Sequence, residues 1–234
     1  FSIRESISRN VRSAHQVTNN FTAFFMANPN PDEKQFTVFT NTLLEEHDFI
    51  EGAIYSAVLT SDAELLPPSD VRMPVRYQVM RDKRYFQQGL DLYTGVYSEA
   101  LEAILESGDV LALAVDGDEL QGKKYWIFKI LDPGQDQQAK SGGSSAGRNR
   151  VLIAVLVDTV KLLGNSLSTT ELSLTMFSNA SSLGGRQLLY HTKPIEADTG
   201  WIVASLEEEG LTQFPSYSFK LAVSRELGWQ EVDK

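Results

Sequence analysis

The sequence predicts an α+β fold: one long N-terminal helix followed by two units of mainly antiparallel sheet. Three observations predict it. Apolar residues recur every three or four positions through residues 3–25, apolar runs of strand length then alternate with isolated short helices, and a polar Gly/Ser-rich stretch near residue 140 divides what remains.

In the first element Ile7, Val11, Ala14, Thr18, Phe21 and Phe25 form the stripe of an amphipathic helix. Asn28-Pro29-Asn30-Pro31 stops it, and Asp32 is placed to cap the next segment. Two readings of this helix stand side by side: it packs on its own domain, or it is a membrane-proximal stalk whose stripe pairs with a second subunit. Phe36, Phe39, Leu43 and Leu44 mark a second helix, and residues 49–59 read as the first strand. A Pro67-Pro68-Ser69-Asp70 turn leads to a strand at 73–80, where Val75, Tyr77 and Val79 share one side and Pro74 fits only at the start, having no N–H to donate. The charged run at 81–84 leaves the sheet. Ser98 is placed as an N-cap for a helix lined by Ala100, Leu101, Ile104 and Leu105 and ended by Gly108. Residues 110–115 and 123–131 are further strands; in the latter Tyr125 and Ile127 face one way, Trp126, Phe128 and Ile130 the other.

Residues 132–150 are polar, rich in Gly and Ser and free of large apolar side chains, so they cannot pack and read as a flexible surface loop. After it come a strand at 151–157, a short helix capped by Asp158 and stopped at Gly164-Asn165, and strands at 172–177, 187–191, 201–207 and 217–225. The expected organisation is therefore an N-terminal helix at 1–35, a first unit at 36–135, a loop at 136–150 and a second unit at 151–234.

Composition removes several functions. Hydrophobic residues at 42% and charged residues at 22% are those of a soluble globular chain, and the net charge of −10 argues against a nucleic-acid partner. No apolar run is long enough to cross a bilayer. A start at Phe1 instead of Met reads as an excised fragment whose flanking transmembrane helices lie outside the sequence. The absence of cysteine excludes disulfides, thiol catalysis and thiolate metal sites. His15, His47 and His191 have no second ligand at metal spacing, and Glu45-Glu46, residues 116–119 and Glu207-Glu208-Glu209 sit beside turns as solvated faces. No cofactor, metal or enzyme activity is expected.

The order Pro74-Val75, then Gly89-Leu90-Asp91-Leu92, then Ala100-Leu101 with Ser107-Gly108, then an apolar strand, resembles the CHASE domain. That family is the extracytoplasmic ligand-sensing module of plant cytokinin receptors and of many bacterial sensor kinases and cyclic-nucleotide enzymes. The resemblance continues through 125–130, 150–163 and 172–178, covering most of the chain after Phe36. It implies tandem PAS-like units on a stalk helix, a small-molecule ligand in the first unit, a homodimer through the N-terminal helix, and a place on the periplasmic or extracellular side of the membrane. By family position the ligand-binding residues are Tyr77, Met80, Asp82, Leu101, Leu111 and Leu113, with Tyr125 and Phe128 as aromatic walls. Tyr77 brings a hydroxyl that wants a partner when buried, and Asp82 a charge for a cationic ligand. For Leu101, Leu111 and Leu113 plain core packing is the competing reading. Where the plant receptors hold adenine with an acidic residue this chain has Met80, or Asp82 on a shifted alignment, so an adenine ligand is not implied. Two other functions stay open: an interaction or dimerisation module whose pocket is filled by its own side chains, and an enzyme of unknown type.

Overall fold

The computed structural model describes residues 3–59, 71–82, 85–108, 110–115, 124–133, 150–163, 172–180, 185–191, 201–208 and 216–224. The expected loop at 136–150, apart from Arg150, the 67–70 turn, the acidic 116–119 stretch and the Gly164-Asn165 stop lie outside these residues.

Helix α1 spans Ile3–Ala27, and its stripe faces inward: Ile7, Val11, Ala14, Val17, Phe21 and Phe25 are all buried by the chain itself. Packing on its own domain is thus what the stripe does along its length. Helix α2 (Glu33–Glu46) begins with a reciprocal capping box, in which the Asp32 carboxylate accepts from the Gln35 N–H (2.7 Å) and the Asp32 N–H donates to the Gln35 side chain (2.9 Å). Phe39 of α2 stacks on Phe24 of α1 at 4.2 Å, which closes the helix pair.

Strands β1 (Ile50–Ala57), β2 (Val75–Met80), β3 (Leu111–Ala114), β4 (Lys124–Leu131) and β5 (Val151–Asp158) form one antiparallel sheet in the order β2-β1-β5-β4-β3. Helix α3 (Ser98–Ser107) lies in the connection between β2 and β3. A short helix α4 (Thr159–Leu163) follows β5, with the Asp158 carboxylate accepting from the Lys161 N–H at 3.0 Å. Strands β6 (Leu172–Ala180), β7 (Gly185–His191), β8 (Trp201–Glu208) and β9 (Ser216–Ser224) form a second antiparallel sheet, ordered β7-β6-β9-β8.

The division expected at the 136–150 loop is corrected by β5. This strand sits in the middle of the first sheet, with Ala154 opposite Ile54 on one side and Phe128 on the other. The reason is compositional: seven consecutive apolar residues, Val151 to Val157, are buried on both sides, and only a central strand covers both sides. The loop joins two neighbouring strands of one sheet. The second sheet meets the first at β3 and β4, and its Met176, Leu189, Tyr190 and Tyr217 share one apolar cluster with α1, α2 and the helical face of the first sheet.

A second correction concerns β2. Tyr55 pairs with Tyr77 but Ser56 with Val75, so Arg76 is an extra residue, a β-bulge. The bulge turns Val75 to the face opposite Tyr77 and Val79, breaking the expected alternation. At the other end of this pairing the strands approach so closely that a Cβ on Gly52 would lie 2.3 Å from the Met80 sulfur and 2.4 Å from the Val79 carbonyl oxygen, which is why β1 carries a glycine there. Arg81, just past β2, donates from Nε to the Ile50 carbonyl (2.7 Å) and from its terminal nitrogen to the carbonyls of Leu44 and His47, fastening the sheet edge to the end of α2.

Candidate ligand-binding site

The sheet has two dissimilar faces. Along β4 the side chains alternate, so Tyr125, Ile127 and Leu131 join the core beneath α1 and α2, whereas Trp126 and Phe128 join the cluster beneath α3. Beneath α3, Leu111 and Leu113 of β3 and Ala100, Leu101 and Ile104 of α3 supply aliphatic walls. The segment between β2 and α3 adds three rings. Tyr85 meets Trp126 edge-on at 5.6 Å, Phe86 lies 5.7 Å from Trp126 and 6.2 Å from Tyr97, and Tyr97 lies 5.2 Å from Phe128. Five aromatic side chains thereby pack into one cluster on the central strands, a chamber filled by their own rings.

Two polar groups belong to it. The Gln78 side chain clasps the Phe86 backbone from both sides, its Nε2 donating to the carbonyl and its Oε1 accepting from the N–H at 3.5 Å. This amide holds the Tyr85-Phe86 segment over the sheet. The Trp126 indole N–H is fully buried and has no hydrogen-bond partner among the described residues. Leaving such a donor unpaired costs about 1–3 kcal/mol, and functional sites are where such costs are tolerated.

The Gly89-Leu90-Asp91-Leu92 corner follows the Tyr85-Phe86 segment and ties it to the start of β2. Gly89 adopts φ +83°, a conformation that favours glycine. One Asp91 oxygen accepts from the Met73 N–H (2.8 Å) and the Tyr93 N–H (3.0 Å), and Leu92 donates back to the Met73 carbonyl (3.0 Å). The corner is thus stitched to the start of β2, and the rings at 85, 86 and 97 are held between two fixed points. Ser98 does not cap α3; Tyr97 occupies the cap position with no side-chain hydrogen bond, while Gly108 ends the helix at φ +72° as expected.

Of the residues expected at the site, Leu101, Leu111, Leu113 and Phe128 are buried around the chamber, and Met80 packs at its margin. Tyr77 and Tyr125 face the other way. Tyr77 packs on Phe36 and Tyr55, and Tyr125 is fully buried against Tyr217 of β9. Burial raises the Tyr125 phenol far above its ordinary range, so it stays neutral. Asp82 is exposed beyond the end of β2. Strand geometry decides this: Tyr77 and Met80, like Tyr125 and Phe128, are three residues apart and so point to opposite faces. Gln78, Tyr85, Phe86, Tyr97 and Trp126 belong to the candidate site and are not among the expected residues. The parity of Trp126 with Phe128 and of Gln78 with Met80 was the available signal for two of them.

The chamber presents aromatic surface, one buried donor and one amide. The described residues hold no group of three metal-ligating side chains. An aromatic surface with an unpaired donor suits a planar apolar molecule carrying a hydrogen-bond acceptor. No family model matches the chain, and no curated protein matches it.

Proposed function

We propose that the chain is the extracytoplasmic ligand-binding domain of a membrane signalling receptor of the CHASE type, with a histidine kinase or diguanylate cyclase as its output. The observation that carries this reading is the unpaired, fully buried indole N–H of Trp126 inside the aromatic chamber. The strand order β2-β1-β5-β4-β3 with α3 on one face supports a PAS-like first unit, which extends to residue 158, and the four-stranded second sheet supports a smaller tandem unit. A planar small molecule enters beneath the Tyr85-Phe86 segment and accepts from Trp126. Its influence passes along β4, where Tyr125, the neighbour of Trp126, packs on Tyr217, which in turn stacks on His15 of α1 at 5.6 Å. Ligand leverage equals its differential affinity for the two positions of that strand. Pairing of two receptor subunits along α1 would use its outer face.

One observation favours a second reading, an interaction module with a self-filled pocket: Tyr85 and Phe86 themselves cover Trp126. A thermal-shift screen of planar heteroaromatic compounds separates the two. A ligand at a hundred times its Kd adds about 2.7 kcal/mol to the folded state. The sensor reading expects a shift that Trp126→Phe removes. If no compound shifts either the native chain or a Phe86→Ala variant with the chamber opened, the self-filled module is the better description.

A further inference from the structure

A second cleft lies on the opposite face of the sheet, where the α1–α2 turn meets the ends of β1, β2 and β5. Its volume is about 390 Å³, and Asp32, Tyr55, Arg76, Tyr77, Arg150 and Val151 line it. Arg76 reaches it because it is the bulged residue of β2, and bulges re-aim side chains next to functional sites. Arg150 enters from the start of β5, tied down by the hydrogen bond from the Val58 N–H to its carbonyl (2.9 Å). Neither guanidinium is in an ion pair with a described residue. The Nε of Arg150 is buried without a hydrogen-bond partner among them. The carboxylate in the lining, Asp32, is occupied as the cap of α2. In a chain of net charge −10, two uncompensated arginines converging on one cleft are a local exception. The Tyr55 and Tyr77 rings, 5.5 Å apart, line the same cleft as an aromatic wall.

We propose that this cleft binds a small organic carboxylate. The carboxylate is taken by Arg76 and Arg150, whose planar forks match its geometry, and the apolar body lies on Tyr55, Tyr77 and Val151. The apolar wall is the reason for an organic anion over inorganic phosphate, which has nothing to lay against it. Binding ties the α1–α2 turn to the sheet edge, and the site is independent of the chamber beneath α3.

Titration calorimetry of the full chain at constant ionic strength tests this, with benzoate and succinate as probes, benzamide as the neutral counterpart of benzoate, and inorganic phosphate. The expected result is saturable binding of at least one carboxylate with none of benzamide, weakened about tenfold or more in Arg150→Gln and in Arg76→Gln. Arg76 is exposed, so its variant keeps the fold even if the Arg150 variant does not. Trp126→Phe leaves carboxylate binding unchanged, which keeps this result separate from that of the chamber. The proposal is overturned if neither carboxylate binds at roughly 10 mM, a Kd weaker than about 3 kcal/mol of binding free energy. It is also overturned if benzamide binds as well as benzoate, if only phosphate binds, or if the Arg76 variant binds unchanged.

Discussion

The two faces of the five-stranded sheet are built from the same strands but to different ends. On the helical face Phe21, Phe25 and Phe36 are each at or below 1% exposure and pack ring to ring with Tyr55, beneath 25- and 14-residue helices. On the other face a ten-residue helix without a side-chain cap covers the sheet, and half-buried Tyr85 and Phe86 are laid over a donor that no described residue satisfies. The difference teaches where stability is concentrated and where a rearrangement costs least. Truncation sharpens it. Phe36→Ala should cost about 3–5 kcal/mol in urea unfolding at unchanged m, from lost burial plus the cavity. Phe86→Ala, on the chamber side, should cost about 1 kcal/mol, because the side chain is only partly buried and its segment can settle on the sheet. Equal costs would make the chamber ordinary core and end the comparison.

An ion-pair cluster stands beside Tyr85, on the α3 side of the sheet. Glu51, 3% exposed, bridges Lys124 of β4 (2.9 Å) and Lys161 of α4 (2.6 Å), tying the first sheet to the helix that leads to the second. Burial alone would raise its carboxyl, but the hydrogen bonds and charges of Lys161 and Lys124 outweigh burial and hold it below the usual carboxylate range. A depressed folded-state value means that the contribution is complete above the unfolded-state pKa of about 4.3 and is lost as pH falls through the folded one. Glu51→Gln should therefore cost about 2 kcal/mol at pH 7, less than a fully buried pair because Lys161 is half exposed, and the variant should lose less stability than the native chain below pH ~4. If stability curves of the two run parallel in acid, the bridge contributes nothing and the sheet rests on packing alone.

Local features of this fold were legible in the residues, and the long-range ones were only partly so. Strand and helix limits follow from the apolar periods, and the Asp32, Asp158 and Gly108 ends from capping chemistry. The central place of β5 was written in its unbroken apolar run, yet the polar loop before it suggested a boundary, because composition reports what a segment cannot pack but not which strands it joins. The Arg76 bulge has no local signal; it exists because Ser56 and Val75 meet across two strands, with the Ser56 hydroxyl donating to the Pro74 carbonyl at 2.9 Å. Tyr85 and Phe86 follow the charged run Arg81 to Arg84 and read as part of a solvated turn. The Gln78 amide, eight residues back, and the Trp126 ring bring them onto the sheet.

The smallest expected effect lies at the joint between the two faces. Asp91 holds the Gly89 corner to β2 through two backbone N–H groups, much as a cap holds a helix, and Pro74 bridges to it across the strand. Removing the side chain should cost about 1 kcal/mol, and Asp91→Asn less, since its carbonyl oxygen accepts the same bonds. The consequence should be local: in Asp91→Ala the Met73 and Tyr93 amides exchange with solvent faster, while the amides of β5 keep their protection. That pattern would make the 85–97 segment a separately opening cover for the chamber. Uniform loss of protection, reaching β5 as strongly as Met73, would mean that the corner is continuous with the core and that the two faces open together.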